Sequence, residues 1–168
     1  GLPANTKLAI YCPTYRDNNG ANFMKSALPD MKRLADVLHE NNILLILKMH
    51  PMVEKDTQYL AMKETYQNHP NFYFWENEDD VDEIFSDIDI AIVDYSSIFY
   101  DLLARGVKTF IRYFYDIDDK ENFRDFVFDV REMTCGTEAS DFDELLAALA
   151  SCKETEKKEL DRINQLFW

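Results

Sequence analysis

The sequence has few of the residues that interrupt or cross-link a chain. Its 168 residues include four glycines, five prolines and three cysteines. So little glycine and proline excludes a collagen-like or low-complexity chain. Cys12, Cys135 and Cys152 are odd in number and show neither a CxxC pair nor a metal-ligand spacing. They predict reduced thiols in a reducing compartment rather than a disulfide framework or a zinc site.

Two further absences concern partners and location. Lys and Arg number 18 against 32 Asp and Glu, which gives a net charge of −14. Nucleic acids and anionic lipid surfaces are bound through clustered cations, so this balance argues against both as direct partners. A nucleotide needs only a local positive site. The sequence also lacks a signal peptide and any run of about 18 apolar residues, which predicts a cytoplasmic chain without a membrane span.

The segments that are present alternate between strand-like and helix-like patterns. Apolar runs predict strands at 7–12, 43–49, 72–75, 88–93 and 107–112. Helices are predicted at 30–40, 57–68, 81–85, 98–105, 142–151 and 154–167. This alternation is typical of the α/β class, with a Rossmann-like parallel sheet and helices on both faces. With 46% hydrophobic residues and no internal linker, the chain is predicted to form one domain over 1–168.

The tetrad Asp94-Tyr95-Ser96-Ser97 stands between the fourth predicted strand and the helix after it. Such a turn is where α/β proteins hold phosphate, because the helix N-terminus presents unpaired N–H groups and a partial positive charge. Ser96 and Ser97 add two hydroxyl donors. Asp94 is expected to fix the loop by accepting backbone N–H groups, and Tyr95 to pack. From the tetrad alone, helix capping and ligand binding are equally supported.

Two other predicted strands also end in polar groups. The strand at 43–49 is followed by His50, with Lys48 two residues earlier, and the strand at 7–12 is followed by Thr14 and Arg16. Ligands of open parallel sheets gather outside the carboxyl ends of the strands. The sequence therefore predicts a ligand site at that edge.

The other two histidines lie elsewhere in the predicted fold. His69 lies at the amino end of the third strand, and His39 falls in the last turn of a helix, where an imidazole suits the C-terminal carbonyls. From the residues alone, His50 is interpreted either as a phosphate ligand or as a side chain packed under the sheet edge that donates to a carbonyl.

Arg16 also has two interpretations. Its guanidinium suits bidentate recognition of phosphate. It could equally pair with Asp17 or with the acidic surface, and the turn Asn18-Asn19-Gly20 after it suggests that Arg16 becomes ordered only on binding.

The motifs CPTYRD, KMHP and DYSS, the last followed by Ile98 and Asp101, together resemble the CDP-glycerol glycerophosphotransferase family of teichoic-acid and related polymer synthesis. The segment FIRYFYD at 110–116, the stretch 122–126 and Gly136 agree with it. The resemblance covers about residues 8–136 and is specific as a set. Cys135 stands before Gly136 where family members often have proline, which leaves the contacts of that loop open.

The resemblance implies a two-domain GT-B architecture, and this chain is similar to its C-terminal, donor-binding domain. It implies an N-terminal acceptor domain with a catalytic His-Gly motif outside this chain, without which the domain is expected to be inactive. The implied acceptor is lipid-linked, and the full-length enzyme is expected at the inner face of the cytoplasmic membrane. The expected donor is CDP-glycerol or CDP-ribitol.

The resemblance also implies roles for individual residues. His50 is the expected catalytic residue, which with Lys48 stabilises the departing phosphate. Donor phosphate is expected on Thr14, Arg16, Asp94, Ser96 and Ser97. Asp101, four residues after Ser97, either holds ribose hydroxyls or pairs with Arg105 on the helix.

No metal and no other cofactor is expected. The acidic run at 76–83 suits a helix cap, and Asp116, Asp118 and Asp119 suit turns. Five aromatic residues follow the fifth strand: Tyr113, Phe114, Tyr115, Phe123 and Phe126. They could form a stacking platform for cytosine, but a hydrophobic lid on the sheet edge is the favoured interpretation.

Two alternative functions stay open. One is a GT-B sugar transferase that uses a nucleotide sugar. Ser96-Ser97 stands where such a transferase would have a Gly-Gly turn, and this difference favours the polyol phosphate family. The other is a receiver-like, partner-binding domain with Asp94 as phosphoacceptor. A receiver needs an acidic pair after its first strand, and Cys12-Pro13 stands there instead.

Overall fold

The structure, a computed structural model, describes residues 2–16, 23–118 and 129–167. Within these ranges the strands are β1 Lys7–Tyr11, β2 Ile43–Leu47, β3 Phe72–Phe74, β4 Ile90–Val93, β5 Thr109–Tyr113 and β6 Thr137–Ala139. The helices are α1 Phe23–Ala27, α2 Met31–Glu40, α3 Thr57–Tyr66, α4 Ile98–Ala104, α5 Val130–Met133, α6 Phe142–Ser151 and α7 Lys157–Phe167. A 3₁₀ helix occupies Val81–Asp87.

The six strands form one parallel sheet in the order β3-β2-β1-β4-β5-β6. At the carboxyl end of β1, Tyr11 is in register with Leu47 of β2 on one side and with Ile92 of β4 on the other. The chain winds outward from β1 to β3, then returns to the other side of β1 with β4. This reversal between β1 and β4 is the point where doubly wound sheets open a crevice for ligand.

Side chains alternate between two cores, one on each face of the sheet. Ala9 and Tyr11 of β1 pack on the face covered by α1, α2, α3 and α6, whereas Ile10 and Cys12 pack on the face covered by α4 and α7. All four are buried. Because both faces are covered, the strands read as continuous apolar runs. The prediction of a Rossmann-like parallel sheet with helices on both faces is confirmed.

Aspartates begin several of the helices. Asp30 accepts the Arg33 N–H at 3.0 Å before α2, and Asp141 accepts the Glu144 N–H at 2.8 Å before α6. Asp56 caps α3 and Asp129 caps α5 in the same way. Each such cap stabilises its helix by about 1 kcal/mol. Part of the chain's large acidic excess therefore serves helix initiation.

Apart from shifts of one or two residues at the ends of elements, the sequence-based boundaries need three corrections. The short elements α1, α5 and β6 were not predicted, because three to five residues are too few to show a helical or strand period. The segment predicted as a helix at 81–85 is a 3₁₀ helix. The last helix begins at Lys157 rather than at 154, because Thr155 is held by β5: its N–H donates to the Lys108 carbonyl at 2.9 Å, and its hydroxyl accepts the Phe110 N–H at 3.1 Å.

All three cysteines are unpaired. Burial raises the pKa of the Cys12 thiol to about 12 and that of Cys135 to about 11, so both remain protonated near neutral pH. In the part of the chain that the structure describes, no helix combines the length and the apolar character that a membrane crossing needs.

Gly136 is predicted to be indispensable for stability. Its φ is +117°, and a Cβ there would lie 2.4 Å from the Phe110 carbonyl oxygen. Gly136→Ala should therefore lower the free energy of unfolding by about 3 kcal/mol, the combined effect of left-handed backbone strain and overpacking. Gly106 is the matched control, because its φ is +89° but nothing lies within 4 Å of an added Cβ. Urea denaturation should show a smaller loss for Gly106→Ala, of about 1 kcal/mol; equal losses in the two variants would contradict the steric argument.

Candidate functional site

The site lies where the carboxyl ends of β2, β1 and β4 meet. These three strands are neighbours in the sheet, and each carries one of the polar motifs at its end. Strand pairing continues past β2, since the Lys48 N–H donates to the Tyr11 carbonyl at 3.0 Å. With neighbouring strands about 4.8 Å apart, the turns after β2 and β4 are separated by two strand spacings, about 10 Å. The fold therefore brings the polar groups after β2, β1 and β4 to one edge of the sheet, as predicted.

Asp94 ties the loop after β4 to the loop after β1. Its side chain is fully buried, and its two oxygens accept the Thr14 N–H at 3.1 and 2.8 Å and the Thr14 hydroxyl at 2.8 Å. Asp94 therefore accepts backbone N–H as predicted. A receiver phosphoacceptor must be open to the phosphodonor, and the strand order also differs from the receiver order, so the receiver-like alternative is excluded.

Arg16 lies beneath the same edge and is completely buried. Its Nη1 donates to Asp94 Oδ2 at 2.6 Å and also to the Thr14 carbonyl, while Nε and Nη2 donate to the two oxygens of Asp116 at 3.1 Å each. Arg16 therefore pairs with two buried aspartates rather than with the acidic surface, and the predicted pair with Asp17 concerns a residue outside the described ranges. The idea that Arg16 becomes ordered only on binding is wrong, because two buried carboxylates already hold its guanidinium. Its direct contact with donor phosphate stays a prediction.

Tyr95 completes this cluster. Its hydroxyl donates to Asp116 Oδ1 at 3.0 Å, and its ring stacks on Phe114 with centroids 5.4 Å apart. The Arg16 guanidinium lies over the Tyr95 ring, 5.3 Å from its centroid. The term Arg16 network is used below for Thr14, Arg16, Asp94, Tyr95 and Asp116. It joins the loops that follow β1, β4 and β5.

Burial and charge fix the protonation of this network. Burial alone would lower the pKa of Arg16, but the Asp94 carboxylate and the hydrogen bond to Asp116 outweigh it and raise that pKa above its ordinary value. Burial and the Asp116 carboxylate raise the pKa of Tyr95 as well, so its hydroxyl stays a donor. The network therefore keeps its donors and its cation throughout the neutral range.

His50 lies outside this buried cluster. The residue is exposed, and its Nδ1 accepts the Met52 N–H at 3.1 Å. In the neutral imidazole the proton therefore sits on Nε2, the nitrogen that is left for a ligand. The ring lies against Tyr15, with centroids 5.4 Å apart and planes at 31°. The alternative in which His50 packs under the sheet edge and donates to a carbonyl is wrong, because Nδ1 is an acceptor and the residue is exposed.

Lys48 brings positive charge to the same edge. It is half-buried, and its Nζ donates to the Asn77 side-chain oxygen and, at 3.4 Å, to the Met49 carbonyl. Asn77 in turn donates to Glu54. Among the described residues, no carboxylate forms an ion pair with Lys48. Its charge is therefore held in place by neutral partners.

The two serines at the start of α4 have different tasks. The Ser96 hydroxyl accepts the Ile98 N–H at 3.2 Å and so caps the helix. Ser97 is exposed and makes no side-chain cap hydrogen bond. The capping role predicted for this tetrad is thus carried out by Ser96, and ligand binding by either hydroxyl stays a prediction. Asp101, one turn further on, is also exposed, and within the described ranges it forms no ion pair with Arg105.

The aromatic segment after β5 is mostly packed into the fold. Tyr113 and Phe114 are buried, and the Tyr113 hydroxyl donates to the Ala27 carbonyl at 2.7 Å. These contacts favour the packing role over cytosine stacking. The segment 122–126 with Phe123 and Phe126, the turn 17–20 and Asp119 lie outside the described residues.

Asp116 is the member of the site that the sequence analysis missed. It was interpreted as a turn residue, although it follows β5, the next strand beyond β4. The strand-end rule that pointed to His50 and Asp94 would have pointed to it as well. In the acidic run, Asp80 accepts the Asp82 N–H at 2.9 Å as a helix cap. The described residues contain no group of three His, Cys, Asp or Glu side chains that could hold a metal ion, and the expectation of metal-free binding stays a prediction.

Removal of the buried arginine is predicted to be far more damaging than removal of an exposed one. Arg16→Met would leave the Asp94 and Asp116 carboxylates buried without a counter-charge, and we expect it to lower the free energy of unfolding by about 4 kcal/mol. Arg33→Met is the control, because its pair with Asp143, at 2.8 Å, lies between side chains that are 54% and 75% exposed. Arg33→Met should lower the free energy of unfolding by less than about 1 kcal/mol. Urea denaturation of the two variants tests this, and similar losses would contradict it.

The chain is similar in sequence to named teichoic acid polymerases. The teichoic acid poly(glycerol phosphate) polymerase of Bacillus spizizenii is 27% identical over 164 residues, which are 95% of this chain and 39% of the relative. The teichoic acid ribitol-phosphate polymerase TarL of Staphylococcus aureus is 32% identical over 146 residues, which are 85% of this chain and 25% of the relative. This chain thus spans about two fifths or less of these relatives.

The fold has a close counterpart among solved structures. A histidine variant of the wall teichoic acid polymerase TagF aligns with a TM-score of 0.74 over 99% of this chain and 40% of its own, at 23% identity. At that identity the likeness establishes the shared Rossmann-like fold. The sequence profile of the family described as CDP-Glycerol:Poly(glycerophosphate) glycerophosphotransferase matches residues 1–167. Because that match spans nearly the whole chain, the chain belongs to the CDP-glycerol:poly(glycerophosphate) glycerophosphotransferase family.

Proposed function

We propose that this chain is the donor-binding, C-terminal domain of a two-domain GT-B transferase. The enzyme would move glycerol phosphate from CDP-glycerol, or ribitol phosphate from CDP-ribitol, to an acceptor hydroxyl in cell-envelope polymer synthesis. The observation that carries the proposal is the meeting of the His50, Thr14–Arg16 and Asp94–Ser97 motifs at the reversal of strand order. Family membership supports the chemistry, and TagF has been solved after a soak with CDPG.

The proposed phosphate ligands are the groups at this edge whose donors the fold leaves available. His50 offers Nε2–H, because the Met52 N–H occupies Nδ1. Ser97 offers an exposed hydroxyl, Ser96 a hydroxyl whose proton is not used in its cap, and Lys48 a positive charge held by neutral partners. Together they supply hydrogen-bond donors and charge on both sides of a diphosphate. Asp101, exposed on α4, is the proposed acceptor for ribose hydroxyls.

In the proposed reaction an acceptor oxygen attacks the β-phosphorus of the donor. A new O–P bond forms, the bond between that phosphorus and the bridging oxygen breaks, and CMP leaves with the electron pair. Phosphoryl transfer depends mainly on positioning and charge stabilisation. His50 would donate from Nε2 to the oxygen on which charge accumulates. Since this nitrogen is already protonated in the neutral ring, removal of the acceptor proton falls to the preceding domain.

Thr14, Arg16 and Asp94 have a different role in this proposal. Their polar atoms bond to one another, so they would hold the loops after β1 and β4 rather than surround the phosphate. The lipid-linked acceptor, its binding by the preceding domain, and a location at the inner face of the cytoplasmic membrane are proposed for the full-length enzyme.

His50 can be tested against a histidine with the same local geometry. His69 is also followed by proline, and its Nδ1 also accepts the N–H two residues on, at 3.1 Å, but it lies at the opposite edge of the sheet. Loss of a charge-assisted hydrogen bond costs about 1.5–3 kcal/mol. His50→Ala should therefore raise the Kd for CDP-glycerol by about 10- to 100-fold in calorimetry. His69→Ala should leave it unchanged.

The choice of nucleotides in the same titration separates the functional alternatives. CDP-glycerol, CDP and CMP should bind more tightly than UDP-N-acetylglucosamine. Preference for the uridine sugar would favour the sugar-transferase alternative. Absence of any cytidine nucleotide binding by the folded chain, or equal losses in the two histidine variants, would refute the proposed donor site.

Donor binding is predicted to be independent of metal. The proposed site neutralises the diphosphate with Lys48 and with hydrogen-bond donors, and not with a bridging cation. The Kd for CDP-glycerol in excess EDTA should therefore equal the Kd in millimolar Mg²⁺, within error, by calorimetry. A fall in Kd of tenfold or more on addition of Mg²⁺ would show that a cation belongs to the bound complex.

A further inference from the structure

The carboxylate of Asp116 holds a central place at the donor edge, although it points away from solvent. It follows β5, and its two oxygens accept from Nε and Nη2 of Arg16 at 3.1 Å each. Oδ1 also accepts the Tyr95 hydroxyl at 3.0 Å. The Asp116 side chain is only 8% exposed. Its oxygens therefore bond within the Arg16 network.

One chain of contacts runs from Asp116 toward His50. Asp116 holds the guanidinium of Arg16 through two parallel hydrogen bonds along one edge, and Arg16 Nη1 donates to the Thr14 carbonyl. Thr14 precedes Tyr15, whose ring lies against the His50 imidazole at 5.4 Å. A connected set of contacts therefore links the Asp116 carboxylate to the His50 ring.

A second chain of contacts runs from Asp116 toward the serines. The Tyr95 hydroxyl donates to Asp116, and the Tyr95 ring contacts both Phe114 and the Arg16 guanidinium. Tyr95 is directly followed by Ser96 and Ser97. One carboxylate thus anchors both flanks of the proposed phosphate site.

Charge does not account for a carboxylate at this place. Asp94 by itself neutralises Arg16, so the addition of Asp116 leaves the buried network with one net negative charge beneath a site for an anion. That charge opposes binding of a diphosphate, and buried ion pairs are weak contributors to stability compared with apolar packing. Neither charge nor stability therefore explains Asp116. The remaining explanation is that Asp116 holds the two flanks of the site in position.

We infer that Asp116 is a positioning residue that sets the geometry of the donor site by fixing Arg16 and Tyr95 together. The inference rests on the proposed function for its consequence in binding, but the coupling itself can be measured on the 168-residue chain without ligand. Supporting groups of this kind change the affinity of a site by about 10-fold or more when they are altered.

The first measurement is NMR of the free chain. Asp116→Asn keeps the size of the side chain but removes its charge and one acceptor, and Asp118→Asn, at an exposed acid two residues on, is the matched control. We expect Asp116→Asn to shift the ring resonances of His50 and the amide resonances of Tyr15 and Ser97, and Asp118→Asn to leave them in place. Shifts confined to the neighbours of residue 116 would overturn the inference.

A second variant, Tyr95→Phe, keeps the inference testable if Asp116→Asn does not fold. Tyr95→Phe deletes only the hydroxyl that donates to Asp116, so it breaks the branch toward the serines and spares the branch toward His50. The amides of Ser96 and Ser97 should shift, while the His50 ring resonances should not. Identical spectra for Tyr95→Phe and the unaltered chain at the serines would count against the coupling.

The second measurement is the affinity for CDP-glycerol, in which charge and positioning predict opposite signs. Loss of a negative charge near a diphosphate should tighten binding a few-fold by Coulomb attraction. Loss of positioning should weaken it by about 10-fold in Asp116→Asn but not in Asp118→Asn. Tighter or unchanged binding would overturn the inference. If the unaltered chain binds no CDP-glycerol, the proposed function fails, and the NMR comparison still decides whether Asp116 positions the two flanks.

Discussion

The ion pair between Arg16 and Asp94 is the contact on which the donor edge depends. It joins the loop after β1 to the loop after β4 across the reversal of strand order, with a 2.6 Å contact between fully buried groups. Each partner also holds backbone: Asp94 accepts the Thr14 N–H, and Arg16 donates to the Thr14 carbonyl. A charged pair in such a place is costly to break, because either partner alone would be a buried, uncompensated charge. The pair therefore links Thr14 and Arg16 of the first loop to Asp94 of the second through buried groups.

This link matters for the chemistry proposed at the edge. Phosphoryl transfer requires little covalent participation by the protein and much accurate placement of donors. In the present fold the buried charges join the loops, whereas His50 and Ser97 at the same edge of the sheet are exposed. Under the proposed function, support and recognition are carried out by different residues of the same motifs. That division explains why Thr14, Arg16 and Asp94 can belong to the site without touching the donor.

The charge of the whole chain gives a misleading impression of the site. The net charge is −14, yet several aspartates are used as helix caps, and two are paired with Arg16. Lys48 lies just after β2 and donates to neutral partners. Anion recognition depends on the groups within a few ångströms, because more distant exposed charges are screened by salt. An acidic protein can therefore present a phosphate site at one sheet edge.

The sequence by itself determined the class of fold, since the alternation of apolar strands and helices leaves a covered parallel sheet as the natural arrangement. It also placed His50, Asp94 and the two serines at strand ends, because the carboxyl ends of parallel strands share one edge. It did not reveal β6, α1 or α5, which are too short to show a period. Nor did it reveal the partners of Arg16: Asp94 and Asp116 are 78 and 100 residues away along the chain. Contacts of that range arise only when the order of strands brings β1, β4 and β5 side by side. The tertiary structure alone decided that Arg16 is a buried support, that Asp116 completes it, and that His50 presents Nε2.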